Sequence, residues 1–226
     1  MGDPAGVGPE IVCGALSRLS PRERARVLVV GHVGTLERAR DITGTRIGFC
    51  AFPSAGELVQ VLDCPTFGVD DVPKGIVTAT AGQAAYRYVE RAVEIAQAKD
   101  GCVIVTAPIN KAALHAAGHF YDGHTGLLQT LTGAASSFML LAGERLSTIH
   151  VSTHVSLEEA IARVTAPRVL ATIMAGAEHL RRLGHRHPRI AVAGLNPHAG
   201  EGGIFGSQDE REIAPAVAKA RGLGLD

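Results

Sequence analysis

At 226 residues and 46% apolar content, the chain can bury the core of one large domain or two small ones. Lys plus Arg and Asp plus Glu balance at 22 each with no basic run, so nothing resembles an electrostatic footprint for nucleic acid. No apolar stretch is long enough to span a bilayer, and Met1-Gly2-Asp3-Pro4 is neither a charged n-region nor an apolar h-region. The four cysteines, Cys13, Cys50, Cys64 and Cys102, lack CxxC spacing, so a cytoplasmic protein with reduced thiols and no membrane partner is expected.

The chain opens directly in a Gly/Pro-rich loop, where such loops ordinarily follow a strand, so an upstream strand is expected to be missing. Ile11, Val12, Ala15, Leu16 and Leu19 then share one helical face over 10–19, with Pro9 suited to the first turn. A buried strand is predicted over 27–30 and a short helix over 35–40. The segment 41–75, broken by Pro53, Pro65 and Pro73, is predicted as short strands and turns. Ala85, Tyr88, Val89, Ala92, Val93 and Ala96 mark a helix over 82–99 that feeds the β-branched run Cys102-Val103-Ile104-Val105-Thr106, predicted as a buried strand.

A helix over 110–118 should stop at Gly118, whose missing Cβ suits a left-handed cap, and another covers 127–131. Two strands, 138–141 and 146–151, flank a polar turn. Ser156 followed by Glu159 is a capping-box pattern opening a helix over 157–164. A further helix over 167–183 ends at Gly184, and 189–193 reads as a strand. The alternation is α/β throughout, with no repeat, linker or internal boundary in 1–226. The chain reaches Gly224-Leu225-Asp226 where the rhythm calls for another strand.

Several loops could carry chemistry. Gly2 to Glu10 (GDPAGVGPE) lets backbone approach a ligand and precedes a helix N-terminus, although such a turn is more often only a turn, with Asp3 and Glu10 as solvated caps. Asn110 and Lys111 follow the strongest predicted strand, at the edge where open α/β sheets bind ligands. Equally, Asn110 is an N-cap and Lys111 faces water. His124 and Thr125 would form a compact donor set for an acidic substrate beside helix amides, or else a plain helix start.

His154 and His198 each follow a predicted strand, so two imidazoles could converge on one metal ion; two satisfied structural histidines are the alternative. Two ligands are too few, because a divalent ion needs a third protein ligand or substrate oxygens. His185 and His187, among Arg181, Arg182, Arg186 and Arg189, read as a solvated basic turn. A zinc hydrolase would need a base beside the histidines, for which Glu201 is the sole candidate.

Taken together, GDPAGVGPE at 2–10, TAPINKAAL at 106–114, GHT at 123–125, STHVSL at 152–157 and GLNPHAGEGGIFG at 194–206 closely resemble the 4-hydroxythreonine-4-phosphate dehydrogenase family, including its 4-phospho-D-threonate/erythronate branch. The resemblance implies an α/β fold of the isocitrate/isopropylmalate dehydrogenase kind, three-layered α/β/α, here without its first strand and C-terminal third. It implies a homodimer with an interfacial active site and three metal-binding histidines, two of which map onto His154 and His198. The third belongs to a later Tyr-His-Asp-Gln-Gly motif, beyond Asp226. The substrate-binding His-Thr pair maps onto His124 and Thr125; Lys111 is a further candidate, for a substrate contact or for stabilising its own loop. Gly126 stands where family members commonly carry Glu.

The implied reaction is oxidation of a phosphorylated β-hydroxy acid at C3 by NAD or NADP, aided by Zn, Co or Mg, with loss of CO₂ from the β-keto product. The first reading of substrate is 4-phosphohydroxy-L-threonine, in pyridoxal phosphate biosynthesis. The alternative is 4-phospho-D-threonate or 4-phospho-D-erythronate in sugar-acid catabolism, which the stretch His150-Val151-Ser152-Thr153-His154 slightly favours. On this reading the 226-residue chain alone is expected to be inactive. A reading of another class is a truncated, non-catalytic metal- or anion-binding module. No catalytic or dinucleotide-binding residue is assigned.

Overall fold

The computed structural model describes residues 1–54 and 58–226. They form two compact units, Met1–Ala135 and Ser136–Asp226. In the first, α1 (Gly8–Arg18) begins with proline in its first turn and buries Pro9, Cys13 and Leu16. The buried stripe is therefore rotated from the predicted one: Ile11 is 46% exposed. After the short α2 (Pro21–Arg24), capped reciprocally by Ser20 and Glu23, the chain enters β1 (Leu28–Gly31) and α3 (Val33–Thr43).

The predicted mixture of short strands and turns proves to hold β2 (Phe49–Ala51), β3 (Val59–Asp63) and a 3-10 turn, Val69–Asp71; residues 55–57 of that segment lie outside the described residues. The sheet order is β1-β3-β2, with both pairs parallel and Val29 opposite Val61. Val59 and Val61 in its centre are fully buried and pack with Leu16, Val29, Leu36 and Ile47. A parallel sheet covered by helices needs apolar residues on both faces: Val29, Val59 and Val61 supply one, and Val30 and Leu62 the other.

The long helix α4 (Ala79–Ala98), capped by the Thr78 hydroxyl, presents Ala81, Gly82, Ala84 and Ala85 as a narrow buried stripe. Small side chains let α5 (Lys111–Ala116) approach closely. α6 (His124–Thr132) follows and ends at Gly133, which has φ +67°. Further along α4, Tyr88 is 1% exposed against Val30, Val69 and Ala84, yet its hydroxyl has no hydrogen-bond partner among the described residues. Burial pushes its pKa up. Because an unsatisfied buried hydroxyl costs desolvation without return, Tyr88→Phe is expected to raise stability by about 1 kcal/mol. Urea unfolding measures it; a loss of similar size would mean that the hydroxyl has a partner.

In the second unit β4 (Leu140–Leu141) and β5 (Thr148–Ile149) pair antiparallel, as the two predicted strands and their polar turn require. α7 (Leu157–Arg163) carries half of the predicted capping box: Ser156 accepts from the Glu159 amide at 3.1 Å, but the Glu159 carboxylate turns to Arg163 instead of returning to the cap. An arginine one turn on competes for that carboxylate. α8 (Ala166–Arg182) and α9 (Ala214–Gly222) bury Val169, Ile173 and Ala177 against Ala216, Ala220 and Leu225.

Two predicted strands are corrected. Neither 102–106 nor 189–193 enters a ladder among the described residues, and Val103 and Val105 are 85% and 91% exposed rather than buried. β-branched composition favours extended backbone, but a strand also needs a neighbour's amides and carbonyls.

Candidate functional site

Three sequence motifs of the first unit meet at the backbone of Ala107 and Pro108. The Asp3 amide donates to the Pro108 carbonyl at 2.9 Å. Gly2, with φ +80°, lies so near that an added Cβ would come 2.9 Å from the Ala107 carbonyl carbon. At Gly8 a Cβ would stand 2.6 Å from the Met1 carbonyl oxygen. These two glycines therefore serve backbone packing within the protein. Asp3 is 5% exposed, not solvated, and its Oδ1 accepts the Ala5 amide at 2.8 Å. Burial raises its pKa against that bond. Glu10 forms an ion pair with Lys74.

Asn110 is the N-cap of α5, its Oδ1 accepting the Ala113 amide at 3.0 Å, and Lys111 follows as an exposed first helical residue. His124 opens α6 behind Gly123. Its Nε2 is buried and has no partner among the described residues. Burial lowers its pKa, and a hydrogen bond to the Ala107 backbone opposes that shift. Thr125 beside it is exposed, and a Cβ at Gly126 would meet nothing within 4 Å.

In the second unit His154 and His198 share an uncommon backbone state: both are left-handed, with φ of 55° and 51°. Outside glycine this region is sparsely populated, and each such residue costs on the order of 1–3 kcal/mol unless its surroundings hold it. Both side chains are exposed, and neither ring hydrogen-bonds to a described residue. His198 lies 6.0 Å from the Phe205 ring. By contrast His32, 8% exposed, is fully employed as the cap of α3, its Nδ1 accepting the Thr35 amide at 3.3 Å. His185 and His187 are exposed, in keeping with a solvated turn.

Residues 23–226 match the family described as pyridoxal phosphate biosynthetic protein PdxA. The chain belongs to the PdxA family. It is 43% identical over 235 residues to D-threonate 4-phosphate dehydrogenase of Salmonella typhimurium, covering 100% of this chain and 71% of that one. It is 38% identical over 234 residues to 4-hydroxythreonine-4-phosphate dehydrogenase of Trichlorobacter lovleyi, covering 100% and 70%. A crystal structure of 4-hydroxythreonine-4-phosphate dehydrogenase from Klebsiella pneumoniae superposes with a TM-score of 0.89 at 42% identity, over 100% of this chain and 70% of that one.

Whether this PdxA-family chain fits a divalent metal turns on its donors. His154 and His198 are open imidazoles of the right chemistry, but among the described residues no three His, Cys, Asp or Glu side chains gather at metal-binding separation. The described residues do not by themselves close a metal site. Nor does any described residue identify a dinucleotide cradle of the GxGxxG kind.

Two residues important to these loops were missed from sequence. Arg168 on α8 donates to the carbonyls of Val151 at 2.9 Å and Ser137 at 3.0 Å and stacks 4.2 Å over the Phe138 ring, tying the approach to His154 to a helix. Asp209, 6% exposed, binds the approach to His198. An arginine one turn into a helix and an acid in the run Asp209-Glu210-Arg211-Glu212 both look solvated in sequence, so nothing marked either.

Proposed function

We propose that this chain is a dehydrogenase acting on a four-carbon hydroxy acid phosphorylated at its terminal oxygen, with D-threonate 4-phosphate as its preferred substrate. Identity to the Salmonella typhimurium D-threonate 4-phosphate enzyme, 43%, exceeds the 41% to the Geobacter metallireducens and the 38% to the Trichlorobacter lovleyi 4-hydroxythreonine-4-phosphate enzymes, which supports that choice. The name of the Klebsiella pneumoniae structure favours 4-phosphohydroxy-L-threonine as the second reading. These acids differ at C2, hydroxyl against amine, so a few polar contacts decide between them.

The observation that carries the reading is the buried Nε2 of His124, which has no partner among the described residues. A buried polar atom left without a partner calls for one, and a hydrogen bond between this nitrogen and a substrate hydroxyl would provide it. Thr125 and the unpaired amides at the start of α6 supply donors for an acidic oxygen of the same molecule. Lys111 adds a positive charge for the phosphate or carboxylate. His154 and His198 are proposed as two donors to a divalent ion, which when bound would favour loss of the C3 hydroxyl proton. NAD or NADP would supply the hydride acceptor, and a homodimer in the cytoplasm is the proposed setting.

The test is reduction of NAD⁺ or NADP⁺ with each phosphorylated acid, by a chain that extends through the Tyr-His-Asp-Gln-Gly motif, with added Zn²⁺, Co²⁺ or Mg²⁺ and with chelator. D-threonate 4-phosphate should give a kcat/KM at least tenfold above the amino acid, and His124→Ala should reduce it about a hundredfold, the cost of losing a buried hydrogen bond made to substrate. Absence of both NAD⁺ and NADP⁺ reduction with either acid, in a chain that extends through the Tyr-His-Asp-Gln-Gly motif, would reject the dehydrogenase reading; inactivity of residues 1–226 alone would not. A preference for 4-phosphohydroxy-L-threonine would reject only the choice of substrate.

A further inference from the structure

The turn that carries His198 follows a backbone path that its own residues disfavour. Five consecutive residues are left-handed, from His198 at φ 51° through Ala199, Gly200 and Glu201 to Gly202 at 65°, and three of them have a Cβ. Such a run persists only where something outside it fixes its ends.

Asp209 is placed to do so. It is 6% exposed and accepts three hydrogen bonds from the two residues that lead into the turn: its Oδ1 from the Leu195 amide at 2.7 Å, and its Oδ2 from the Asn196 amide at 3.0 Å and the Asn196 Nδ2 at 2.8 Å. The remaining Asn196 amide hydrogen goes to Gln208 at 3.0 Å. No ion pair to Asp209 is present among the described residues; its neighbour Arg211 pairs with Glu212. The carboxylate charge is therefore compensated by the N–H groups of the turn, and burial's upward push on its pKa is more than offset by them.

Contact is also steric. A Cβ at Gly194 would come 3.0 Å from Asp209 Oδ1 and 3.2 Å from Ala199 Cα, so the carboxylate, Gly194 and the residue after His198 are packed together with no room between them. A shift of the carboxylate is then a shift of the turn.

We propose that Asp209 is a positioning residue that fixes the left-handed turn and thereby the direction of the His198 imidazole. The proposal rests on the reading of His198 as a site residue. Asp209→Asn is the discriminating change, since it keeps the volume but sets an amide NH₂ against either the Leu195 N–H or the two Asn196 donors. In this variant, hydrogen exchange at the Leu195 and Asn196 amides should accelerate at least tenfold. The His198 ring resonance should move toward its unstructured position. Exchange in α8 should stay within twofold.

Zn²⁺ alone, titrated calorimetrically, should bind at least tenfold more weakly to Asp209→Asn, with no further loss when His198→Ala already removes the ring. Three results would overturn the proposal: unchanged amides, a His198 resonance that stays in place, or exchange rising equally in α8, which would make Asp209 a general stability residue. If His198→Ala binds Zn²⁺ like the unaltered protein, the metal reading of His198 fails, while the exchange and ring signals still decide what Asp209 does.

Discussion

Gly82→Ala is expected to destabilise the first unit by about 3 kcal/mol or more, the upper end of what overpacking costs. The position lies where α4 crosses α5, and an added Cβ would sit inside the Ala113 carbonyl and 2.8 Å from the Leu114 amide nitrogen. Those neighbours are helical backbone, not the flexible end of a side chain, so relief requires one helix to move off the other. Against this stands the ordinary gain from replacing a helical glycine by alanine, about 1 kcal/mol. Gly14→Ala in α1 isolates that gain, because a Cβ there meets nothing within 4 Å. The two substitutions should shift the urea midpoint in opposite directions. Equal stabilisation by both would mean that α4 and α5 are not in close contact.

His154→Gly and His198→Gly are expected to separate function from stability. If the imidazoles hold a divalent ion, loss of either should lower metal-dependent turnover about a thousandfold, some 4 kcal/mol of transition-state stabilisation. Folding should not suffer. Each residue has positive φ, where glycine escapes the Cβ penalty, and neither ring has a hydrogen bond to lose among the described residues. Stability should therefore hold or rise by up to about 1 kcal/mol, with alanine at the same positions less favourable because it keeps the left-handed penalty. Turnover within twofold of the unaltered protein would remove both histidines from the site. A loss of turnover with equal loss of stability would make them structural.

The helices were largely legible. Asn110 and Ser156 each cap a helix start, and Gly118 and Gly184 take left-handed conformations just past helix ends, as their residue types foretell; Thr78 and Thr165 also cap, at starts the sequence reading placed further on. These are local effects, decided within four or five residues. The run 102–106 was misread because composition selects an extended backbone without saying whether another strand lies beside it. Similarly, Ile11 joined the predicted face of α1 since its periodicity fits; which stripe of a helix is covered depends on what packs there.

Loop glycines divide along the same line. GDPAGVGPE announces close backbone approach, yet the partners that Gly2 and Gly8 approach are the Ala107 and Met1 main chains. The pattern carries the need for small residues but not the identity of what comes near. Asp209 is the extreme case, since its sequence surroundings are those of a solvated helix start while 13 and 14 residues separate it from the amides it binds.

By itself the sequence determined the position of most helices, though not of α2 or α9, the mixed α/β class and, through five separated motifs, the family, because capping, periodicity and motif spacing are short-range properties written in consecutive residues. Only the tertiary structure decided that His124 buries a nitrogen with no partner among the described residues, that His154 and His198 share a left-handed backbone, and that Asp209 and Arg168 anchor the loops leading to them. Those features arise from burial and from hydrogen bonds between residues distant along the chain, and both come into being only when the chain folds.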